Sequence, residues 1–376
     1  MKQKLLFLLL LLASTSAFAQ LDNQLFNYKF PVDSGRSEEL HVELNSFGYF
    51  KNNEFFNQII EGYTLFGYQF NPRLSYQPSP HVYLSVGAFF QKDFGNDDFT
   101  QIQPTFTFKY QKNNFALIFG NLEGALHHGL IEPLFDFENV IDNRLENGLQ
   151  FLFDKPRWSM DLWVDWQKMI YENSPFQEEI GGGLNFHYHL LSNEGLKLDA
   201  ELQYTAFHRG GQINQPGFPI LTVSNLAPGL SFEKEMNGSF VEKIGASAYY
   251  TLYSNDADSS AGFAYESGSG IYLNASANSR IFDIMLSYWL GDSYQSVMGG
   301  PLYQSQSFRP EEPNYTEQQR SLLFIRLMKN IHLGEGTDIS IRLQPYLDLE
   351  NDLFEHYMEF YLHSNLDFFI AKLKRR

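Results

Sequence analysis

The sequence has no cysteine among its 376 residues, and that absence excludes a disulfide scaffold and thiol catalysis. Basic residues are scarce, with 27 lysines and arginines against 44 aspartates and glutamates and a net charge of −17. A chain this acidic does not hold nucleic acid by neutralising phosphates, so nucleic acid is excluded as a partner. Downstream of residue 20 there is no apolar run of about 18 residues, and a membrane-spanning helix is not predicted.

The N-terminal residues have the pattern of an export signal. In "MKQKLLFLLLLLASTSAFAQ", Lys2 and Lys4 precede the apolar run 5–12, and a small-residue A-x-A site follows at 17–19. This order of charged, apolar and small residues is typical of a secretory signal peptide. We therefore predict a cleaved signal peptide over residues 1–19 and a single domain over residues 20–376.

Strict alternation of apolar and polar residues fills the rest of the chain. In "GLKLDAELQYTAF", residues 195–207, Leu198 and Leu202 fall on one face of a strand, and Asp199 and Glu201 fall on the other. The same period of two recurs in "HVYLSVGAFF", "WSMDLWVDW", "FDIMLSYWL" and "DISIRLQPYLDL". This pattern indicates strands with one apolar and one polar face, and no helical period competes with it.

About sixteen such segments are predicted, with fourteen to eighteen allowed by the uncertainty of strand boundaries. They lie near 38–50, 62–72, 81–91, 100–111, 114–121, 147–154, 157–167, 181–190, 196–207, 227–234, 241–253, 268–275, 280–290, 321–329, 338–349 and 357–371. Every second link between them is tight and rich in turn residues, whereas the intervening links are mostly long. Sorting of link length by parity indicates an all-β, antiparallel up-and-down barrel that crosses the outer membrane, with short periplasmic turns and long extracellular loops.

The placement of tryptophan agrees with a membrane barrel. Trp158 and Trp166 fall on the same face of one strand, with Asp161 and Asp165 on the other face. Their separation along a tilted strand matches the spacing of the two aromatic girdles of an outer-membrane barrel. The apolar face is therefore predicted to meet lipid, and the polar face is predicted to meet a wet interior.

Signal peptide, alternating strands and sorted links together resemble the porin class of Gram-negative outer-membrane β-barrels. The resemblance implies a passive channel for small polar, cationic or neutral solutes, with the third long link, 121–146, folded inward as a constriction. A ring of carboxylates in a narrow pore favours cations. The candidate constriction residues are Glu123, His127, His128, Glu132, Asp136, Glu138, Asp142 and Arg144.

The polar faces of the cleanest strands supply the predicted lumen lining. Its members are Asp161, Asp165, Asn185, His187, His189, Lys197, Asp199, Glu201, Gln203, Arg342, Gln344 and Asp348. Outer-membrane lipid, lipopolysaccharide and small hydrophilic solutes are the expected partners, and the porin resemblance allows a homotrimer. One departure from that class is the C-terminal "AKLKRR", which follows Phe369, because such barrels commonly end on an aromatic residue.

No catalytic motif is found, and neither a metal nor another cofactor is predicted. The chain has no G-x-S-x-G elbow and no H-E-x-x-H, and adjacent histidines alone rarely bind a metal ion. We therefore expect a channel without enzymatic activity. The alternatives are an outer-membrane barrel that binds or hydrolyses a surface lipid, polysaccharide or peptide, and a secreted β-rich binding protein.

Overall fold

Sixteen antiparallel strands form one closed barrel in the computed structural model of the chain, in which the first strand pairs with the last and every other pair of neighbours is consecutive in sequence. The structure describes residues 23–124, 128–193, 195–211, 213, 219–236, 240–257 and 261–373. The predicted barrel of about sixteen strands is confirmed. The predicted signal peptide at 1–19 lies outside the described residues.

The strands, β1 to β16, are Glu39–Glu54, Thr64–Ser79, Val82–Asp93, Gln101–Lys112, Phe115–Asn121, Asn147–Lys155, Trp158–Lys168, Glu179–Asn193, Leu196–Arg209, Leu221–Glu235, Val241–Ala257, Ser267–Ser279, Asp283–Asp292, Gln319–Gly334, Thr337–Asp348 and Leu353–Lys372. Within the residues that the structure describes, the helical elements are one short α-helix, Asn139–Asp142, and 3₁₀ turns at Gln24–Phe26, Ser34–Arg36 and Pro301–Tyr303. None of the helices in the described part of the chain is long and apolar enough to cross a membrane.

The alternation in the sequence becomes two faces of the barrel wall. In β9, Glu201 and Gln203 are buried inside the barrel, whereas Leu202 is 37 % exposed on its outer surface. In β15, Arg342 and Gln344 are buried, whereas Ile341 lies exposed on the outside. Because side chains of a strand alternate between its two faces, the exposed apolar residues form an outer band that suits lipid contact.

Link length follows strand parity. The links after even-numbered strands are short, such as 113–114, 156–157 and 335–336, and those after odd-numbered strands include the long links 122–146 and 293–318. Gly336, in the turn between β14 and β15, has a φ of 68°, and an added Cβ would stand 1.9 Å from the carbonyl oxygen of Asn365. Only glycine fits this left-handed position next to the last strand.

The largest error in a predicted strand start concerns β10, which begins at Leu221 and not near residue 227. Its first half points Leu221 and Val223 inward, where they pack with Tyr253 and Tyr294. Strands were identified by alternation of apolar outward residues with polar inward ones. Because the inward residues are apolar here, that alternation is absent from the first half of β10. The same observation shows that the interior of the barrel is not lined by polar groups alone.

Candidate functional site

The link 122–146, called the inner segment here, lies inside the barrel. Wall side chains bind its backbone from several strands: the Asn185 amide donates to the His128 carbonyl at 2.9 Å, and the Ile131 N–H donates to the Gln203 side chain at 2.8 Å. The Gln69 amide donates to the Val140 carbonyl at 3.0 Å. Strands on different sides of the barrel therefore hold the inner segment across the lumen.

The link 293–318, called the second inner segment, packs against the first. The Gly300 N–H donates to the Glu132 carbonyl at 2.9 Å, and the Asp136 N–H donates to the Met298 carbonyl at 2.8 Å. A Cβ on Gly299 would stand 2.0 Å from the Pro133 carbonyl oxygen. A glycine at this position permits the close backbone approach that joins the two segments.

The N-terminal residues 23–32 also enter the barrel, which the sequence analysis did not predict. Phe26 packs edge-on against Phe47 and Tyr361 of the wall and lies next to Phe137 of the inner segment. Arg144 donates to the Phe26 carbonyl and stacks over the Tyr28 ring at 4.2 Å. Three parts of the chain therefore occupy the lumen together.

Three of the six acids in the described part of the inner segment are paired with cations of the barrel wall. Glu123 binds Lys109 at 2.8 Å, Glu138 binds Lys51, and Glu132 binds Arg326. From the sequence, Arg144 was the one arginine or lysine named beside these acids, because only charges within the segment were counted. Lys51, Lys109 and Arg326 stand at inward positions of their strands. The alternation of inward and outward residues along each strand is the signal that would have identified them.

His128 is clamped between two carboxylates and an indole. Its Nε2 lies 2.6 Å from Glu146, its Nδ1 lies 2.8 Å from Asp161, and its ring stacks on Trp163 at 3.7 Å. Burial lowers the pKa of His128, but Glu146 and Asp161 outweigh that effect and raise it to about 10. At neutral pH His128 is a buried cation that fixes the inner segment to the wall. Its neighbour His127 lies outside the described residues.

Asp136 and Asp142 have no cation within ion-pair distance among the described residues. Burial, together with the negative charge of Glu138, raises the pKa of Asp136 to about 7 and that of Asp142 to about 6. Both are acids of the inner segment for which no compensating charge is supplied. They differ in this respect from Glu132 and Glu138.

The predicted lining residues all stand on inward positions of their strands, but most of them contact other side chains or the inner segments. Asp161 and Asn185 hold His128, Gln203 holds the inner segment, and Arg342 stacks on Phe26 and Phe137. The remaining partners are Asn147 for Asp165, Glu201 for His187, Asp199 for His189, Glu359 for Gln344 and Arg320 for Asp348. Lys197 shares the inward parity, opposite Glu233 in the sheet.

Two cavities remain between the inner segments and the wall. The lumenal pocket encloses about 510 Å³ of space not filled by atoms and is bounded by Lys51, Asn53, Glu138, Tyr357 and Glu359 among others. A second cavity encloses about 620 Å³ beside Asn143 and Met298. Asp136 and Pro301 line both cavities. The unpaired carboxylate of Asp136 therefore stands where the two spaces meet.

A separate polar group lies on the outer surface of the barrel, at the end that carries the long links. His208, Thr222 and Asp256 face outward side by side on β9, β10 and β11, because His208 pairs with Thr222 and Thr222 pairs with Asp256 in the sheet. The Nδ1 of His208 lies 3.0 Å from the Thr222 hydroxyl. Ser224, at the next outward position of β10, lies 3.2 Å from the Tyr204 hydroxyl. We call His208, Thr222, Ser224 and Asp256 the rim patch.

The sequence analysis missed the rim patch because its members are distant in sequence and sit on the face assigned to lipid. Only the register of three strands brings them together. A histidine at an outward position of an otherwise apolar strand face was the available signal. A hydroxyl within hydrogen-bond distance of an imidazole is the arrangement that activates an oxygen nucleophile.

Solved structures share the fold of this chain. OprD of Pseudomonas aeruginosa has 10 % sequence identity and a TM-score of 0.51, with 88 % of this chain and 96 % of that chain covered. OmpT, an outer membrane protein of Vibrio cholerae solved without its loop L8, has 8 % identity and a TM-score of 0.51, with 86 % and 99 % covered. The chain is thus a porin-like outer-membrane β-barrel. Identities this low establish the fold alone.

No curated protein matches the chain. A family profile does match it, over residues 32–373, which takes in all sixteen strands and both inner segments. The profile is described as lipid A 3'-O-deacylase-type. On the strength of that match across nearly its whole length, the chain belongs to the lipid A 3'-O-deacylase-type family.

Proposed function

We propose that this protein hydrolyses acyl-ester bonds of lipid A-type glycolipids in the outer leaflet of the outer membrane. The observation that carries the proposal is the His208–Thr222 hydrogen bond of 3.0 Å on the outward face of the barrel. The family description supplies the substrate class. Among the alternatives raised by the sequence, this proposal favours a barrel that hydrolyses a surface lipid over a channel without enzymatic activity.

The position of the rim patch suits such a substrate. His208 is the residue before the end of β9, Thr222 is the second residue of β10, and the long link 210–220 joins these strands. In outer-membrane barrels the long links face outward from the cell, so this end of the wall meets the outer leaflet. Ester bonds of a glycolipid lie between its sugar and its acyl chains, at the same depth. The lumen offers a lipid less access, because three parts of the chain occupy it.

The chemistry follows ordinary acyl transfer. His208 accepts the proton of the Thr222 hydroxyl as the Thr222 oxygen attacks the ester carbonyl carbon. The bond from that carbon to the sugar oxygen breaks, and the sugar oxygen takes the proton from His208. Water then attacks the acyl-threonine with the same base, which releases a fatty acid and restores the Thr222 hydroxyl. Asp256 and Ser224 flank the reacting group on the same face.

The test uses the full barrel in detergent with purified lipid A, analysed by mass spectrometry. We expect loss of one ester-linked acyl group, with His208→Ala and Thr222→Val each reducing the rate by about 10² to 10⁴. His356→Ala is the matched control, because His356 also faces outward at the long-link end, on β16 opposite Glu54.

The outcomes of this test are distinct. An active wild type with unchanged His208→Ala and Thr222→Val variants removes the rim patch from the mechanism while keeping the activity. An inactive wild type overturns the proposal itself. Loss of activity in His356→Ala as well as His208→Ala points to a general effect on the barrel surface and also counts against the rim patch.

A passive channel for small polar or cationic solutes is the second candidate function. The observation in its favour is the pair of lumenal cavities that share Asp136 and Pro301 in their lining. Single-channel recording in a planar bilayer tests it: stable ohmic current in KCl supports a channel, and a sealed barrel excludes one. Replacing Glu132, Asp136 and Glu138 with Gln reduces cation preference if the inner segment sets selectivity.

A further inference from the structure

The lumenal pocket carries an excess of hydrogen-bond acceptors and negative charge. Four carboxylates line it, those of Glu132, Asp136, Glu138 and Glu359, against the single lysine Lys51. Lys51 binds Glu138 and stands 3.7 Å from Glu359, while Arg326 forms an ion pair with Glu132. Two cations therefore serve four carboxylates, and the pocket is left with surplus negative charge around Asp136.

Buried acceptors without hydrogen-bond donors give a second, independent indication of what this pocket binds. The Asn53 Oδ1 has no hydrogen-bond partner, although Asn53 is 3 % exposed. The Glu359 Oε1 accepts no hydrogen bond, although the Lys51 ammonium stands 3.7 Å from it, and Glu359 is 2 % exposed. Buried polar atoms are normally hydrogen-bonded, and each such exception costs free energy unless a ligand or water satisfies it. Both residues line the same pocket as Asp136.

Aromatic rings complete the lining. Tyr357, Tyr303 and Phe55 border the pocket, and the Lys51 ammonium already stands 5.4 Å from the centroid of the Tyr357 ring. Rings attract cations through the negative potential of their faces and also bury attached methylene groups. A bare metal ion is a poorer match, because the described residues contain no group of three or more ligands arranged to hold one.

From these features we infer that the lumenal pocket binds a small organic cation with N–H donors, such as an alkylammonium or guanidinium group. Its charge neutralises Asp136, its N–H groups donate to Asn53 Oδ1 and Glu359 Oε1, and its carbon atoms lie against the rings. The pocket comprises about 510 Å³ of space not filled by atoms, and this volume includes open solvent. This inference is independent of the deacylation proposed at the rim patch.

The test is calorimetric titration of the full barrel in detergent with n-butylammonium chloride. Sodium butyrate and n-butanol are matched probes of the same chain length, with negative charge and with no charge. We expect the ammonium alone to bind, and Asp136→Asn to weaken that binding about tenfold by removing the uncompensated charge. Glu359→Gln tests the second acceptor and is expected to weaken binding by a smaller factor.

Asp142→Asn is the matched control variant. Asp142 belongs to the same inner segment and has no ion-pair partner among the described residues, but it is not part of the pocket lining. Its affinity for n-butylammonium is expected to equal that of the wild type. Heat-dependent mobility on a detergent gel verifies that each variant is a folded barrel.

Three results overturn the inference. The first is equal binding of butyrate or butanol, which means an apolar pocket or water only. The second is unchanged affinity in a folded Asp136→Asn variant. The third is displacement of butylammonium by calcium chloride at equal ionic strength with tighter binding of the metal, which reassigns the pocket to a divalent ion.

Discussion

The rim patch and the lumenal pocket lie on opposite faces of one barrel wall and treat their polar groups differently. In the rim patch, His208 and Thr222 bind each other and are half-buried among apolar neighbours, next to an exposed Asp256. In the pocket, carboxylates and cations from the wall and the inner segment are deeply buried and largely paired. The reactive groups of the outer face are thus accessible from the membrane, whereas ion pairs on the inner face hold the inner segment against the wall.

Removing a lumenal cation is the strongest test of whether buried charge pairs hold the inner face together. Arg326 is fully buried and binds Glu132, so Arg326→Met leaves the partly buried Glu132 carboxylate without its cation and with only the Tyr272 and Tyr303 hydroxyls as donors. We expect a loss of about 3–5 kcal/mol in the free energy of unfolding, measured by urea titration in detergent micelles. Arg280→Met is the control, because Arg280 and its partner Glu242 are both well exposed. Near-equal losses in the two variants would mean that the lumen is solvated and not packed.

A crossed experiment separates the two sites. His208→Ala is expected to reduce deacylation about 100-fold or more and to leave n-butylammonium affinity unchanged. Asp136→Asn is expected to weaken n-butylammonium binding about tenfold and to leave the deacylation rate unchanged. The two measurements are mass spectrometry of lipid A and calorimetry on the same protein preparations. A variant that changes both readouts would show that the wall couples the two faces.

Titration sharpens the description of the pocket. Burial and the neighbouring Glu138 raise the pKa of Asp136 to about 7, with Glu132 adding to the effect and Lys51 opposing it. Asp136 is therefore protonated below pH 7 and negative above it. The affinity for n-butylammonium is expected to increase about tenfold between pH 5.5 and 8.5, and Asp136→Asn is expected to remove most of that increase. A wild-type profile that does not change over this range contradicts the role given to Asp136.

A further prediction concerns stability at high pH. The carboxylates around His128 raise its pKa to about 10, above the ordinary value of 6.5, in spite of its burial. The stability that this ion cluster contributes is complete below pH 6.5 and is lost as the pH rises through about 10. Urea titrations at pH 7 and pH 10.5 are expected to show this loss in the wild type and a smaller one in His128→Gln. His332→Gln, at an exposed His–Asp pair, serves as the control.

Strand positions were predictable because a barrel wall imposes a period of two on nearly every segment. For β9 the predicted 196–207 became Leu196–Arg209, and for β4 the predicted 100–111 became Gln101–Lys112. The start of β10 was missed where the interior is apolar, at Leu221 and Val223, since an inward apolar residue has the same sequence pattern as an outward one. Alternation of polar and apolar residues separates the inward from the outward face of a strand only where the inward residues are polar.

The sites were less predictable than the strands. The expected inward position of the inner segment came from resemblance to porins, and its acids were named as candidate constriction residues. Their partners were not, because the Glu132–Arg326 pair is separated by 194 residues in sequence. The rim patch depends on the register of three strands, and sequence alone fixes register poorly where both faces contain small polar residues.

The pairing of β1 with β16 has a consequence for how the protein is made. Glu39, which opens β1, lies opposite Lys372 at the end of β16, so the last edge of the sheet is satisfied only by residues from the far end of the chain. An unclosed sheet exposes backbone N–H and C=O groups that hydrocarbon does not hydrogen-bond. Insertion into the bilayer therefore waits for the complete polypeptide, and a truncation that removes the final strand prevents membrane assembly instead of merely weakening it.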